Sequence, residues 1–324
     1  VVALTTAQAL ALTTVEAATL TTAQLVALET TDLAVLSSLQ LRAMSSEQIA
    51  ALTTLQVVAL TTAQVAGMST ANATALGTAQ VLALETLDLL ALTTLNVAAL
   101  GTTQVLALGT DQIQSLSAAQ LAALGSNQIT ALAATQLQAL TSVQVAGLGT
   151  ATLAALTTGQ VGVLETTDVV VVSSTNLRAM GSALVAALGT DQIQALTTIQ
   201  TTALWTAQVA ALGTSQIVAL TTAQVSAWGT ASVYALTTSG LSAMETADLV
   251  VLSATQIQAL STEQVFGLTT VQVAALTTTQ VRALRTTHIA ALGTDQIVAL
   301  TTAQVFALSS AQAVALGTVQ VAAL

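Results

Sequence analysis

Residues 59 to 66 read "ALTTAQVA", and close variants of this octad return every eight residues from one end of the 324-residue chain to the other without an insertion or deletion. Let each position be a slot, the residue number modulo eight, with multiples of eight called slot eight. Slot four is then Leu in 35 of 41 cases, the exceptions being Met44, Met68, Val172, Met180, Trp228 and Met244. Slot one is nearly always Val, Ile or Leu, and slot three nearly always Ala, with Gly67, Gly147 and Gly267 among the substitutes. Slot six is Ser or Thr in 37 of 40 cases and slot eight is usually Gln, while slots two and seven vary freely. A short fixed period is the mark of an array in which each unit buries its apolar face against its neighbours. Because length never varies, every residue of the octad must have a geometric task.

The unit reads as a helix start. Leu60, Thr61, Thr62, Ala63, Gln64 and Val65 place a Thr at N-cap, a Gln at N3 and apolar residues at N′ and N4, which is a capping box with a hydrophobic staple. Glu47, Asp111, Asp191, Glu263 and Asp295 occupy slot seven, hence N2, where the helix dipole favours acids. Gly at slot five, as in "LGTDQI" at 108–113, suits the end of one helix and the cap of the next. One unbroken helix is excluded, because an eight-residue repeat drifts about 80° per unit and would wind the Leu stripe around it. The pattern therefore predicts an all-α solenoid, a superhelical rod of stacked helices of about six or seven residues, one per octad, joined by tight turns at slots four and five. Helices this short have no stability alone, so stacking must supply it.

On a helical wheel slots eight, four and one share a face with slot three beside them, and slots two and seven lie opposite. Arg42, Arg178, Arg282 and Glu47 occupy those opposite slots, as solvent positions require. Small Ala at slot three admits close helix approach, and the buried Gln at slot eight needs partners among turn backbone groups of its own or an adjacent unit. A β-solenoid with two octads per coil is the alternative, since Thr and Val favour strands; Ala, Leu and Gln in most of the near-invariant slots favour helix instead. No double or triple period overlies the octad, so successive units are equivalent. Residues 1–324 read as a single continuous array, and since the text opens at Val1 and closes at Leu324 inside the repeat, as an excerpt of a longer chain. A longer echo of eighty residues joins "LGTDQIQ" at 108–114 to its copy at 188–194, and "LETTDV" at 164 to "METADL" at 244, as duplication would leave it.

Composition removes several function classes. Charged residues are 6% of the chain, against about 25% in typical soluble domains. There is no Lys; Arg42, Arg178, Arg282 and Arg285 face fourteen acids, for a net charge of −10. Nothing here neutralises a run of phosphates, so nucleic acid is not an expected partner. Mean hydropathy is high at +0.82, yet polar residues interrupt every few positions, so no span of about 20 apolar residues arises. The lack of Cys excludes disulfides and thiolate metal sites.

The candidates for chemistry are few. Glu at slot five is always accompanied by Asp at slot eight: Glu29 with Asp32, Glu85 with Asp88, Glu165 with Asp168, Glu245 with Asp248. Two carboxylates three apart could share a Ca²⁺; equally, one ancestral unit with acids at its helix start was copied. The pair alone supplies too few ligands, so no metal site is expected. His288, the only histidine, stands in a Gln slot beside Arg285 and reads as a Gln substitute with a ring donor. No nucleophile is singled out by a base, so neither catalytic residues nor a cofactor is expected. Trp205, Trp228, Tyr234, Phe266 and Phe306 are too scattered for a stacking surface. The paired Thr of slots five and six could order water on ice or a crystalline polysaccharide, or simply cap helices.

The octad "ALTTAQVA", with variants such as "ALGTDQIQ", resembles the Ala, Leu, Thr and Gln rich octapeptide tracts of very large secreted or surface proteins of Gram-negative bacteria, often described as adhesin-like. The resemblance covers the whole chain. It implies a bacterial cell-surface or extracellular setting and a structural role, and brings no site residues. The expectation is a non-enzymatic structural repeat forming a filament, stalk or sheath, whose partners are its own repeats and identical chains; the alternative is a surface adhesin or an ice- or polysaccharide-binding module.

Overall fold

The computed structural model describes residues 4–324. Among them there are forty helices and no strand, so the chain is an all-α solenoid and the β alternative is excluded. Every helix but one begins at slot six, as the capping signature requires. At Thr62–Ala66 the Thr61 side chain accepts from the Gln64 N–H at 3.3 Å, and the Thr61 N–H donates to Gln64 Oε1 at 2.7 Å. The helices run to six residues, as in Thr94–Ala99, within the six or seven expected, or fall short at five in Thr62–Ala66 and four in Thr246–Leu249. The corner consumes the difference, because slots four and five are both extended, as in Leu100 (φ −57°, ψ 139°) and Gly101 (φ −72°, ψ 160°).

The number of units per turn, which the octad leaves open, is three. Two compact units, Val1–Leu164 and Glu165–Leu324, each show the same stacking. In the first, Thr62–Ala66 packs on Ser38–Ala43 below and Thr86–Ala91 above. In the second, Thr270–Ala275 packs between Thr246–Leu249 and Thr294–Val298. One turn is therefore 24 residues, three helices and three corners. Identical slots stack in columns, and the three columns of a unit obey the same slot rules.

The wheel assigns the faces correctly. Val65 and Met68 are buried while Thr61, Thr62, Ala63 and Ala66 are exposed, and this pattern recurs in nearly every octad. Slot three is tight for the reason expected: a Cβ on Gly67 would lie 2.6 Å from the Ser38 Cβ one turn below, and one on Gly267 3.3 Å from that of Thr238. Large apolar residues in slots two and seven, such as Leu55, Leu82 and Leu106, stay exposed. Each short helix is held by its neighbours above and below, since removing slots one and four from water stabilises it by about 2 kcal/mol per side chain.

This assignment predicts that Leu100→Asp, at a buried corner, costs several kcal/mol because an unpaired charge enters the core. Ala98→Asp, at exposed slot two, should stay within about 0.5 kcal/mol of the parent. Chemical denaturation followed by helical circular dichroism measures both; equal losses would show the buried face to be misassigned.

Candidate functional site

The polar structure of the array is concentrated at its corners, and the slot-eight Gln organises it. Standing at N3, Gln64 is 1% exposed. Its Oε1 accepts from the Thr61 N–H, and its Nε2 donates to Leu33 O at 2.8 Å and Leu36 O at 2.7 Å, respectively 31 and 28 residues earlier. Those carbonyls belong to slots one and four of the corner one turn below. The same bonds recur from Gln112 to Val81 O and Leu84 O, and in the second unit from Gln272 to Leu241 O and Met244 O. Each Gln thus closes its own helix start and ties it to the corner beneath. The expected partners of the buried Gln are these, in the adjacent turn.

Substitutions at slot eight show what that position demands. Asn is shorter and reaches one carbonyl: Asn72 donates to Met44 O at 3.1 Å and Asn96 to Met68 O at 3.0 Å. Leu184 has no polar atom, and there the corner changes form: Met180 turns helical, Gly181 takes φ +74°, and the helix Gly181–Ala186 starts one residue early. No other described residue has a positive φ.

His288 is fully buried and holds its slot by a two-residue exchange. The Arg285 guanidinium donates to His288 Nε2 from Nε at 3.0 Å, its Nη2 lies 2.8 Å from the same ring nitrogen, and Nη2 also donates to Leu260 O at 2.6 Å. Leu260 stands 28 residues before His288, so Arg285 takes over the donation a Gln would make. The ring accepts where a ring donor was expected. Burial and the adjacent guanidinium both hold the imidazole pKa below its ordinary value.

The Glu–Asp pairs lie in the same corners. Asp32, Asp88 and Asp248 are each 3 to 4% exposed. Glu29, Glu85 and Glu245 occupy N-cap without a side-chain capping bond. Thr6 Oγ1 donates to Asp32 at 3.0 Å and Thr62 Oγ1 to Asp88 at 2.7 Å. The acids expected at N2 are there, Asp111 following Thr110 at the head of its helix. Slot-five Thr hydroxyls are engaged as caps, as at Thr221 and Thr277, whereas the slot-six Thr are mostly exposed.

The aromatics do not converge. Trp228 is buried in a Leu slot with no acceptor for its indole N–H. Trp205 is exposed, with the Arg178 guanidinium 4.7 Å from its ring centroid. Phe266 borders an open groove of about 430 Å³ with Thr238, Thr262, Glu263, Gly267 and Ala291. Tyr234 and Phe306 are exposed elsewhere. None of the helices among the described residues is long and apolar enough to cross a membrane.

The model of the ALTTAQ repeat family matches the chain eight times, over residues 25–62, 81–118, 161–198, 200–230, 209–244, 241–278, 278–309 and 297–324. No protein of curated function matches it.

Two measurements probe the corner. Gln64→Glu keeps the acceptor arm but sets a carboxylate against Leu33 O and Leu36 O, and should cost about 3 kcal/mol; Gln64→Asn, which retains one donation, about 1 kcal/mol. Native-state hydrogen exchange of the amides around both turns reads these losses locally. For His288 the folded pKa lies below the unfolded value of about 6.5, so its contribution is complete above that pH and declines as pH falls below it. The denaturation midpoint should fall between pH 7 and 5.5, and His288→Gln should flatten that slope; an unchanged slope would show that another group sets it.

Proposed function

Because the chain belongs to the ALTTAQ repeat family, we propose that it is a non-enzymatic structural element, a filament, stalk or sheath displayed outside a bacterial cell. The observation that carries this reading is the bond made by each Gln with the turn below. An interface that is the same at every step extends an array by adding units, with no pocket or unique unit required. Its partners are its own repeats and identical chains. The net charge of −10 disperses such a particle and disfavours nucleic acid. Having no Lys and four Arg leaves few sites for trypsin-like proteases, which suits exposure outside cells.

The rival reading, an adhesin or an ice- or polysaccharide-binding face, draws on the exposed slot-six Thr of each column. It is the weaker one, because the slot-five hydroxyls that would complete paired rows already serve as caps. Immunogold electron microscopy of intact producing cells, with antibodies to the repeat, tests the choice of setting and role. Label along thin surface projections is expected, and label appearing only after permeabilisation would overturn the extracellular reading. Saturable retention of the purified chain on ice or cellulose, lost when slot-six Thr residues of one column become Ala, would favour the rival.

A further inference from the structure

We propose that the chain pairs side by side with a second copy of itself through a ladder of exposed apolar side chains on its first unit, Val1–Leu164. Thr54–Val58, Thr78–Ala83 and Thr102–Ala107 are successive helices of one column. Their slot-two residues are Val58, Leu82 and Leu106, and Leu55 precedes Val58 by three positions, a spacing that sets two side chains next to each other on a helix. All four are 46 to 74% exposed. Across the next corner the exposed Leu87 borders an open groove together with Leu82. The fold does not ask for large apolar residues here, since the same slot of the same column holds Thr130 and Ala154 further on. The neighbouring columns have no such ladder: over the same turns slot two reads Ala66, Leu90 and Gln114 in one and Thr74, Ala98 and Ala122 in the other.

Area and charge select the occupant. These five side chains present on the order of 400 Å² of apolar surface, the size at which an exposed patch marks an interaction site. Two such faces remove about 800 Å² from water, and the Ala and Thr between the rungs carry the contact to about 1,000 Å², where a specific interface becomes stable. The three helices contain no charged residue, although the chain as a whole carries −10. Interface cores are depleted of charge, and here that depletion lets two like-charged copies meet. The nearest carboxylates, Glu85 and Asp111, stand at the rim, in the groove beside Leu82. A lipid surface suits the face less well, because helices that lie on bilayers carry Lys or Arg on their polar side and these carry neither.

Period gives the third argument. The rungs recur once per turn, at the about 8–10 Å separation of packed helices. A second copy offers rungs at the same interval, so a fit made at one rung is repeated at the next. A two-fold arrangement uses the same patch on both chains. It sets the copies antiparallel, with Leu82 facing Leu82 at the axis and Val58 facing Leu106. The ladder thereby gives a surface to the partnership of identical chains proposed above, and the two readings fail separately: a monomer in solution leaves the immunogold result on setting untouched.

The full chain, sedimented at equilibrium over a range of concentrations, should show monomer and dimer. Raising NaCl should tighten the dimer, because salt screens repulsion between two chains of net charge −10. Leu82→Thr with Leu106→Thr installs the residue that Thr130 already places in this slot, so the helical circular dichroism should stay unchanged while dimerisation weakens about tenfold or more. Val271→Thr, which removes a comparably exposed side chain from the second unit, should leave the dimer as it is. With no native Cys in the chain, Leu82→Cys should form a covalent dimer on air oxidation. Val58→Cys should not, since about two rungs separate it from its counterpart, beyond disulfide reach. A chain that stays monomeric at every concentration overturns the proposal, and co-sedimentation of that monomer with phosphatidylcholine vesicles would assign the ladder to a lipid surface. A dimer undiminished by the two Thr substitutions overturns the ladder as its interface, and a Val58→Cys cross-link overturns the antiparallel pairing.

Discussion

The array depends on one amide. A Gln at N3 accepts with its oxygen from the N-cap N–H of its own helix and donates with its nitrogen to two carbonyls of the turn below. Local and long-range order are thereby joined in a single side chain. Helices of four to six residues lie far below the length that sustains an isolated helix, and each leaves several backbone groups unpaired at both ends. The Gln oxygen serves an orphan donor at one end, and the Gln nitrogen serves orphan acceptors at the far end of another helix. Without it a corner would bury carbonyls that have no donor, at a cost of about 1–3 kcal/mol for each group. The Leu and Val of slots four and one supply most of the attraction between turns, and the Gln sets their register.

Departures from Gln sort by how they answer that demand. Asn72 and Asn96 answer it in part, reaching the slot-four carbonyl alone. His288 answers it through Arg285. Neither Leu184 nor Gly240 answers it; the backbone beside Leu184 abandons the usual corner for a left-handed glycine at Gly181, whereas the corner of Gly240 keeps its extended Thr237.

Much of this was legible because the octad carries its own start signal. Thr61, Gln64 and Val65 mark cap, box and staple in six letters, and the buried slots follow from helical periodicity. Where a helix falls short of the six or seven residues expected, as Thr246–Leu249 does, the corner had been counted as helix, although the chain needs extended residues to turn. The three-unit turn was not legible. Gln64 finds its partners 28 and 31 residues away, but every corner offers the same two carbonyls, so no residue marks which one is used. A trace exists in hindsight, in the 24-residue spacing of exposed Val58, Leu82 and Leu106; the free choice at slot two hides it. At His288 the signal was present in Arg285, a cation in a slot otherwise held, Trp205 apart, by small or acidic residues.

The equivalence of corners also explains how the chain could grow by duplication. Eighty residues are ten octads, or three turns of 24 plus one octad, so a copied block does not return to the column it came from. Thr166–Val171 and Thr246–Leu249, which carry Asp168 and Asp248, accordingly stack in different columns: the former against Thr190–Ala195, the latter against Thr222–Ser226 and Thr270–Ala275. The copy is tolerated because any column supplies the same lower corner to any octad. A step of other than eight residues has no such freedom. It would carry the following Gln off its N3 position and turn slots one and four toward solvent, which accounts for a repeat free to vary in its letters and fixed in its length.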